Sequence, residues 1–185
     1  MPPQRMAGSA RAERIDALVD AARDELRAGG YDEFTVRKAA RRAGIGPATA
    51  YTYFSSKDHL VAEVCWRFLR TLEPPDPTLA PAERLPVALA ALADLIATEP
   101  AVATASMVAV LAPDPDVQRV RAEIATLVGG YLTAAIGDDA DDARVVTLEL
   151  AIFGALHQAS AGMLDHAGLR DVLAEVATVV VPPAR

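Results

Sequence analysis

Thr35, Arg37, Lys38, Pro47, Ala48, Thr49, Tyr51, Thr52, Tyr53 and Lys57 stand close together in the chain, and their types suit recognition of a polyanion rather than bond-breaking chemistry. Guanidinium and ammonium groups neutralise phosphates, and each such contact releases condensed counterions. The hydroxyls serve differently. A threonine can bond a base edge and pack its methyl on thymine, whereas tyrosine hydroxyls reach phosphates and fix register.

Two short helices are needed to present these groups. Thr35 is a good N-cap, so a helix can start at Val36, and Gly44 stops it. At about 100° per residue, Val36, Ala39, Ala40 and Ala43 share one face, while Arg37, Lys38, Arg41 and Arg42 fill the opposite arc. After the Ala-Gly-Ile-Gly turn, Pro47 suits the first position of a second helix, because its fixed φ is helical and its missing N–H would have had no partner. A basic helix, a turn with glycine and a hydroxyl-rich helix make the pattern of a DNA-binding helix-turn-helix. A plain surface hairpin with merely solvated cations would use the same residue types.

The order of residues narrows the choice. Thr35, Ala39-Ala40, Ala43-Gly44, Ile45, Thr49, Tyr51-Thr52-Tyr53-Phe54 and Lys57-Asp58-His59-Leu60 resemble the N-terminal motif of the tetracycline-repressor (TetR) family of bacterial regulators. Three positions depart from the family pattern: Gly46 in place of Ser or Thr, Ala48 in place of Gly, and Ala50 in place of a larger apolar residue. They bear on which operator is read rather than on the fold.

The resemblance implies an all-α chain with an N-terminal three-helix helix-turn-helix domain and a larger C-terminal helical domain for effector binding and dimerisation. It further implies a repressor that holds double-stranded DNA as a homodimer and is released by a small molecule, with no cofactor. The dimer would be a four-helix bundle of the last two helices. Ala151, Gly154, Ala155 and Gly162 would let helices approach closely, and Val172 and Val176 would supply an apolar stripe.

Composition agrees with a helical chain. Aromatic residues are 5%, and runs of alternating β-branched residues are absent. A net charge of −7 argues against nucleic acid until it is divided. Residues 1–73 hold 12 Lys and Arg against 10 Asp and Glu, a balance of +2, whereas residues 74–185 hold 6 against 15, a balance of −9. The basic charge is local, which is what phosphate contact requires. Met1–Arg14 lacks the apolar core of a signal peptide, no stretch is long enough to span a bilayer, and the single Cys65 excludes an intrachain disulfide. These features lead us to expect a cytoplasmic protein with no membrane partner.

Periodicity predicts a bracing helix over about 10–28 ended by Gly29-Gly30, and a helix over about 57–73 that links the domains and stops at Pro74-Pro75. The expected domains are therefore 1–56 and 57–185. Further helices are read at about 81–98, 101–112, 114–136, 141–165 and 168–180.

The C-terminal part carries no nucleophile elbow, Walker motif or Cys/His cluster, so no enzyme activity is expected. The aspartates between Asp138 and Asp142 lack the ligand spacing and glycine of a calcium loop and are read as helix caps. Between Thr71 and Ala143 the basic residues are Arg84, Arg119 and Arg121 amid apolar helices, which favours a small hydrophobic effector. Trp66, Met107, Leu111 and Phe153 are candidate lining residues, with His157 as a polar anchor, although each alone is more often core. A helical small-molecule-binding protein with a vestigial helix-turn-helix is the competing class. A footprint on a discrete palindrome separates the two.

Overall fold

The structure, a computed structural model, describes residues 3–165 and 168–181; Met1, Pro2 and residues 182–185, at the ends of the two expected domains, lie outside the described residues. The described chain is all-α, in the order α1 (Pro3–Glu33), α2 (Val36–Arg42), α3 (Pro47–Tyr53), α4 (Lys57–Leu69), α5 (Pro81–Thr98), α6 (Pro100–Ala109), α7 (Pro115–Ile136), α8 (Asp142–Ser160) and α9 (Gly168–Val180). A single 3-10 turn, Gly137–Asp139, separates α7 from α8.

Each boundary has a local cause. The Thr35 hydroxyl accepts from the Lys38 amide at 3.1 Å and starts α2. Ser56 caps α4, Asp114 caps α7 and Asp141 caps α8 in the same manner. Pro81, Pro100 and Pro115 occupy first-turn positions where a missing N–H costs nothing. Gly30, at φ 65°, breaks the regular geometry of α1 where Gly29-Gly30 predicts its end, but the helix begins at Pro3 rather than near residue 10.

Three expected spans prove longer than the helices themselves. α4 ends at Leu69, and residues to Leu72 continue only as turns. α6 gives way to turns after Ala109. α8 ends at Ser160 instead of Asp165, because Gly162 enters the left-handed region at φ 72° and the Met163 amide returns to the Gln158 carbonyl.

Apolar residues gather in two principal clusters. One joins α1, α2, α3 and the first turns of α4 through Leu18, Leu26, Phe34, Val36, Ala50 and Leu60, and also takes in Val102, Ala105 and Ala109 of α6. The other joins α5, α7, α8 and α9 through Leu85, Leu89, Leu132, Ile136, Leu148 and Leu173. α6 therefore lies between the two cores and packs on α1, α4 and α8. Among the described residues, no single helix is long and apolar enough to cross a membrane.

Candidate functional site

α2 and α3 meet through a tight turn. Gly44, at φ 68°, lets the Gly44 amide reach the Arg41 carbonyl at 3.2 Å and the Ile45 amide reach the Ala40 carbonyl at 2.8 Å. This paired closure satisfies the last carbonyls of α2 and turns Ile45 onto the core. Val36, Ala39, Ala40 and Ala50 are buried, so the opposite faces of both helices point outward.

On that outward side, Arg37, Pro47, Ala48, Tyr51 and Thr52 are exposed, and Thr49, Tyr53 and Lys57 are half-buried. The basic arc is not uniform. The Arg42 guanidinium is paired with Glu25 at 2.7 Å, and Lys38 lies 3.8 Å from Glu33. Arg37 and Arg41 form no ion pair among the described residues. Arg11 stacks over the Tyr53 ring at 5.6 Å, and the Lys57 ammonium stands 3.7 Å from the centre of the Tyr31 ring. Tyr31 donates to Asp58, and burial first, then that carboxylate, pushes its phenol up to about 12. Thr52 donates to the Thr49 carbonyl at 2.6 Å, which leaves its oxygen as an acceptor. Thr35 is the reverse: its oxygen holds Lys38, and its O–H is left to donate outward.

The helix-turn-helix is tied to the rest of the molecule by two polar clusters that sequence reasoning missed. Glu99, at the 97° bend between α5 and α6, is only 5% exposed and accepts from Arg23 and Arg27 of α1. Arg23 Nη2 lies 2.6 Å from its Oε1 and Arg27 Nε 2.8 Å from its Oε2. These bonds, Arg27's first, hold the carboxyl below the usual carboxylate range. The second cluster links the start of α4 to the start of α7: Ser56 donates to Asp114 at 2.6 Å, and buried His59 accepts the Ser55 amide on Nδ1 at 3.2 Å. That bond requires a neutral ring, and burial pushes the imidazole pKa down.

Residues of α4, α5, α6, α7 and α8 line a cavity of about 390 Å³ that is open to solvent on one side, where Leu111, Val146 and Leu150 are exposed. Met107, Leu111 and Phe153 line it, but Trp66 and His157 do not. Trp66 packs instead beside Ala62, Val117 and Val120 between α4 and α7. His157 is exposed on α8 and does not border this space. Sequence reasoning missed Cys65, Ser106, Arg121 and Glu149, the polar members of the lining. Periodicity marks an inward face but does not distinguish wall from core. Cys65 keeps accessible surface where it borders this space, and burial raises its thiol pKa. No group of three or more His, Cys, Asp or Glu side chains is placed to hold a metal among the described residues.

Of the expected interface residues, Ala155 is buried within its own subunit's core rather than on its surface. Gly162 lies in the turn that ends α8, not on the helix. Ala151, Gly154, Val172 and Val176 are half-buried, and Val172 and Val176 partly pack on the same core.

Residues 18–64 match the model of the tetR family of bacterial regulatory proteins. An uncharacterized HTH-type transcriptional regulator of Mycobacterium bovis is 40% identical over 170 residues, which are 90% of this chain and 80% of that protein. The fold is also that of a TetR transcriptional regulator from Rhodococcus, at a TM-score of 0.71 with 18% identity over 89% of this chain and 95% of that one. FadR from Bacillus subtilis, solved with stearoyl-CoA, has a TM-score of 0.57 with 18% identity over 91% of this chain and 98% of that one. Regulators of this kind bind DNA and small-molecule effectors, act as dimers and are not enzymes. On its motif, its fold and its relatives, this chain belongs to the TetR family of helix-turn-helix transcriptional regulators.

Proposed function

We propose that the protein is a repressor, released from a near-palindromic operator when a hydrophobic molecule enters the cavity. The observation that carries this reading is the position of the cavity. Its walls include α4 and α6, the same helices that pack against the helix-turn-helix core, and α6 starts at the Glu99 link to α1. A ligand that favours one arrangement of those helices shifts the population between DNA-competent and incompetent states.

The proposed DNA contacts are Thr35, Arg37, Lys38, Pro47, Ala48, Thr49, Tyr51, Thr52, Tyr53 and Lys57, with Arg41 added because it is exposed and forms no ion pair among the described residues. The proposed division runs 1–56 and 57–185, with α4 contributing Leu60, Val61 and Val64 to the first core and packing Leu69 against the second. Met107, Leu111 and Phe153 are proposed to touch the effector, and the apolar wall favours it by about 25 cal/mol per Å² buried.

The test is to form the operator complex, located by footprinting, and titrate it with compounds matched in size but differing in charge. Release by apolar compounds is the expected result. Release chiefly by small polyanions, with apolar compounds inert, would reject it, and absence of any discrete footprint would return the vestigial helix-turn-helix.

A further inference from the structure

Glu149 is out of place in the wall of this cavity. It projects from α8 among Val146, Leu150, Ile152 and Phe153, is half-buried, and takes no ion-pair or hydrogen-bond partner among the described residues. Its carboxylate is set against α7 where that helix carries Gly129. A Cβ on Gly129 would stand 3.2 Å from Glu149 Oε1, tighter than ordinary contact. Gly129 lies well inside a helix that runs from Pro115 to Ile136, a position where glycine costs about 1 kcal/mol relative to alanine. The absence of its side chain gives the carboxylate room.

The other polar lining groups are neutral or stand at the exposed edge. The Ser106 hydroxyl donates to the Val102 carbonyl at 2.7 Å. Arg121 is exposed, and one arm of its guanidinium holds the Val110 carbonyl at 2.9 Å. The Cys65 thiol is kept protonated by burial. An incoming molecule thus meets apolar walls, a half-buried carboxylate with no partner among the described residues and, at the exposed edge, the Arg121 guanidinium. Placing a second carboxylate beside Glu149 would add repulsion to desolvation, whereas an ammonium would form a charge-assisted hydrogen bond.

We infer that the effector is an apolar molecule carrying a protonated amine, which Glu149 holds through its carboxylate; this rests on the reading of the cavity as the effector site. Glu149 is thereby the residue that sets ligand class, and the hydrocarbon wall sets size.

Isothermal titration of the full-length protein with dodecylamine, dodecanol and dodecanoate, each below its micellar range, tests the assignment. The wild type should bind the amine at least about tenfold more tightly than the alcohol, with the carboxylate weakest. Glu149→Gln, checked for an unchanged melting curve, should bring the amine to the level of the alcohol and leave the alcohol within about twofold. Gly129→Ala, which crowds the carboxylate without removing it, should weaken the amine more than the alcohol. Equal binding of amine and alcohol by the wild type, or an amine preference that survives in Glu149→Gln, would overturn the role of Glu149 and leave the cavity reading standing. Failure of all three compounds to bind would overturn both.

Discussion

Glu99 joins α1, which packs on the helix-turn-helix, to the bend between α5 and α6. Its carboxylate is nearly inaccessible, while Arg23 and Arg27 remain 35% and 48% exposed, so the arginines can be hydrated if it is lost but the carboxylate has nowhere else to turn. Glu99→Gln should therefore cost about 1–3 kcal/mol in chemical denaturation. It should also loosen α1 from α6 and weaken the operator's response to effector. The carboxyl titrates below its ordinary 4.5 in the folded protein, so its contribution is fully present above that value and is lost as pH falls through the lower folded value. His59 acts at higher pH. Its folded pKa lies below the ordinary 6.5, so the stability of the neutral ring is present above 6.5 and is lost as pH falls through the folded value. Melting curves from about pH 7 downward should decline for the wild type and decline less for His59→Gln. On the DNA face the free and the stacked cations should differ. Arg37→Ala should lose about 1–3 kcal/mol chiefly on the operator, whereas Lys57→Ala should weaken all sequences alike and lower the salt slope by about 1. Fluorescence anisotropy at several salt concentrations distinguishes the two, and unchanged operator affinity in both variants would count against the assignment.

At the scale of elements, the turn between α2 and α3 is where local chemistry most completely determines structure. Gly44 sits at φ 68° with nothing near its missing side chain, so Gly44→Ala isolates a conformational cost of about 1–2 kcal/mol without a steric one. Gly130→Ala is the matched control. Gly130 lies in α7 with the same empty surroundings but helical geometry, so alanine there should be neutral or stabilising by up to about 1 kcal/mol in the same denaturation experiment. The signals legible in the sequence were of this local kind: Thr35 as a cap, Gly44 as a stop, Pro47 as a first helical residue, and the break at Gly30. What could not be read was long-range. Nothing in the residues around Glu99 announces that α1 will bring two arginines to it from more than 70 positions away. Trp66 and Phe153 both sit on apolar helix faces, yet one fills the space between α4 and α7 and the other borders a cavity. Only the relative placement of five helices decides that. A clue to Glu149 was present in the mid-helix Gly129, whose cost invites the question of what approaches it.

For the molecule as a whole, function requires two recognition helices to meet successive major grooves about 34 Å apart, which one copy cannot do. We propose that α8 and α9 offer the surface for pairing. Leu150 is 68% exposed and Val179 80%, Ala151, Val172 and Val176 are half-buried, and nothing stands within 4 Å of where a side chain at Gly154 would begin. A second copy packed across α8 and α9 would remove these side chains from water and fix the spacing of the DNA-binding helices at the far end. Gly154→Glu tests this more cleanly than a change at Ala155, which is 4% exposed and would disrupt its own subunit's core. A side chain at Gly154 meets nothing within 4 Å in the single chain, so Gly154→Glu should fold. It should nonetheless place an unpaired charge in the paired interface, where removal from water is costly. Sedimentation should show the variant as a monomer at micromolar concentration while the wild type is a dimer. Operator affinity should fall by at least about tenfold with every DNA-facing residue intact, because each half-site is then bound separately. A dimeric Gly154→Glu variant, or a wild-type monomer that holds a palindrome tightly, would place the interface elsewhere and remove the link between subunit pairing and operator spacing.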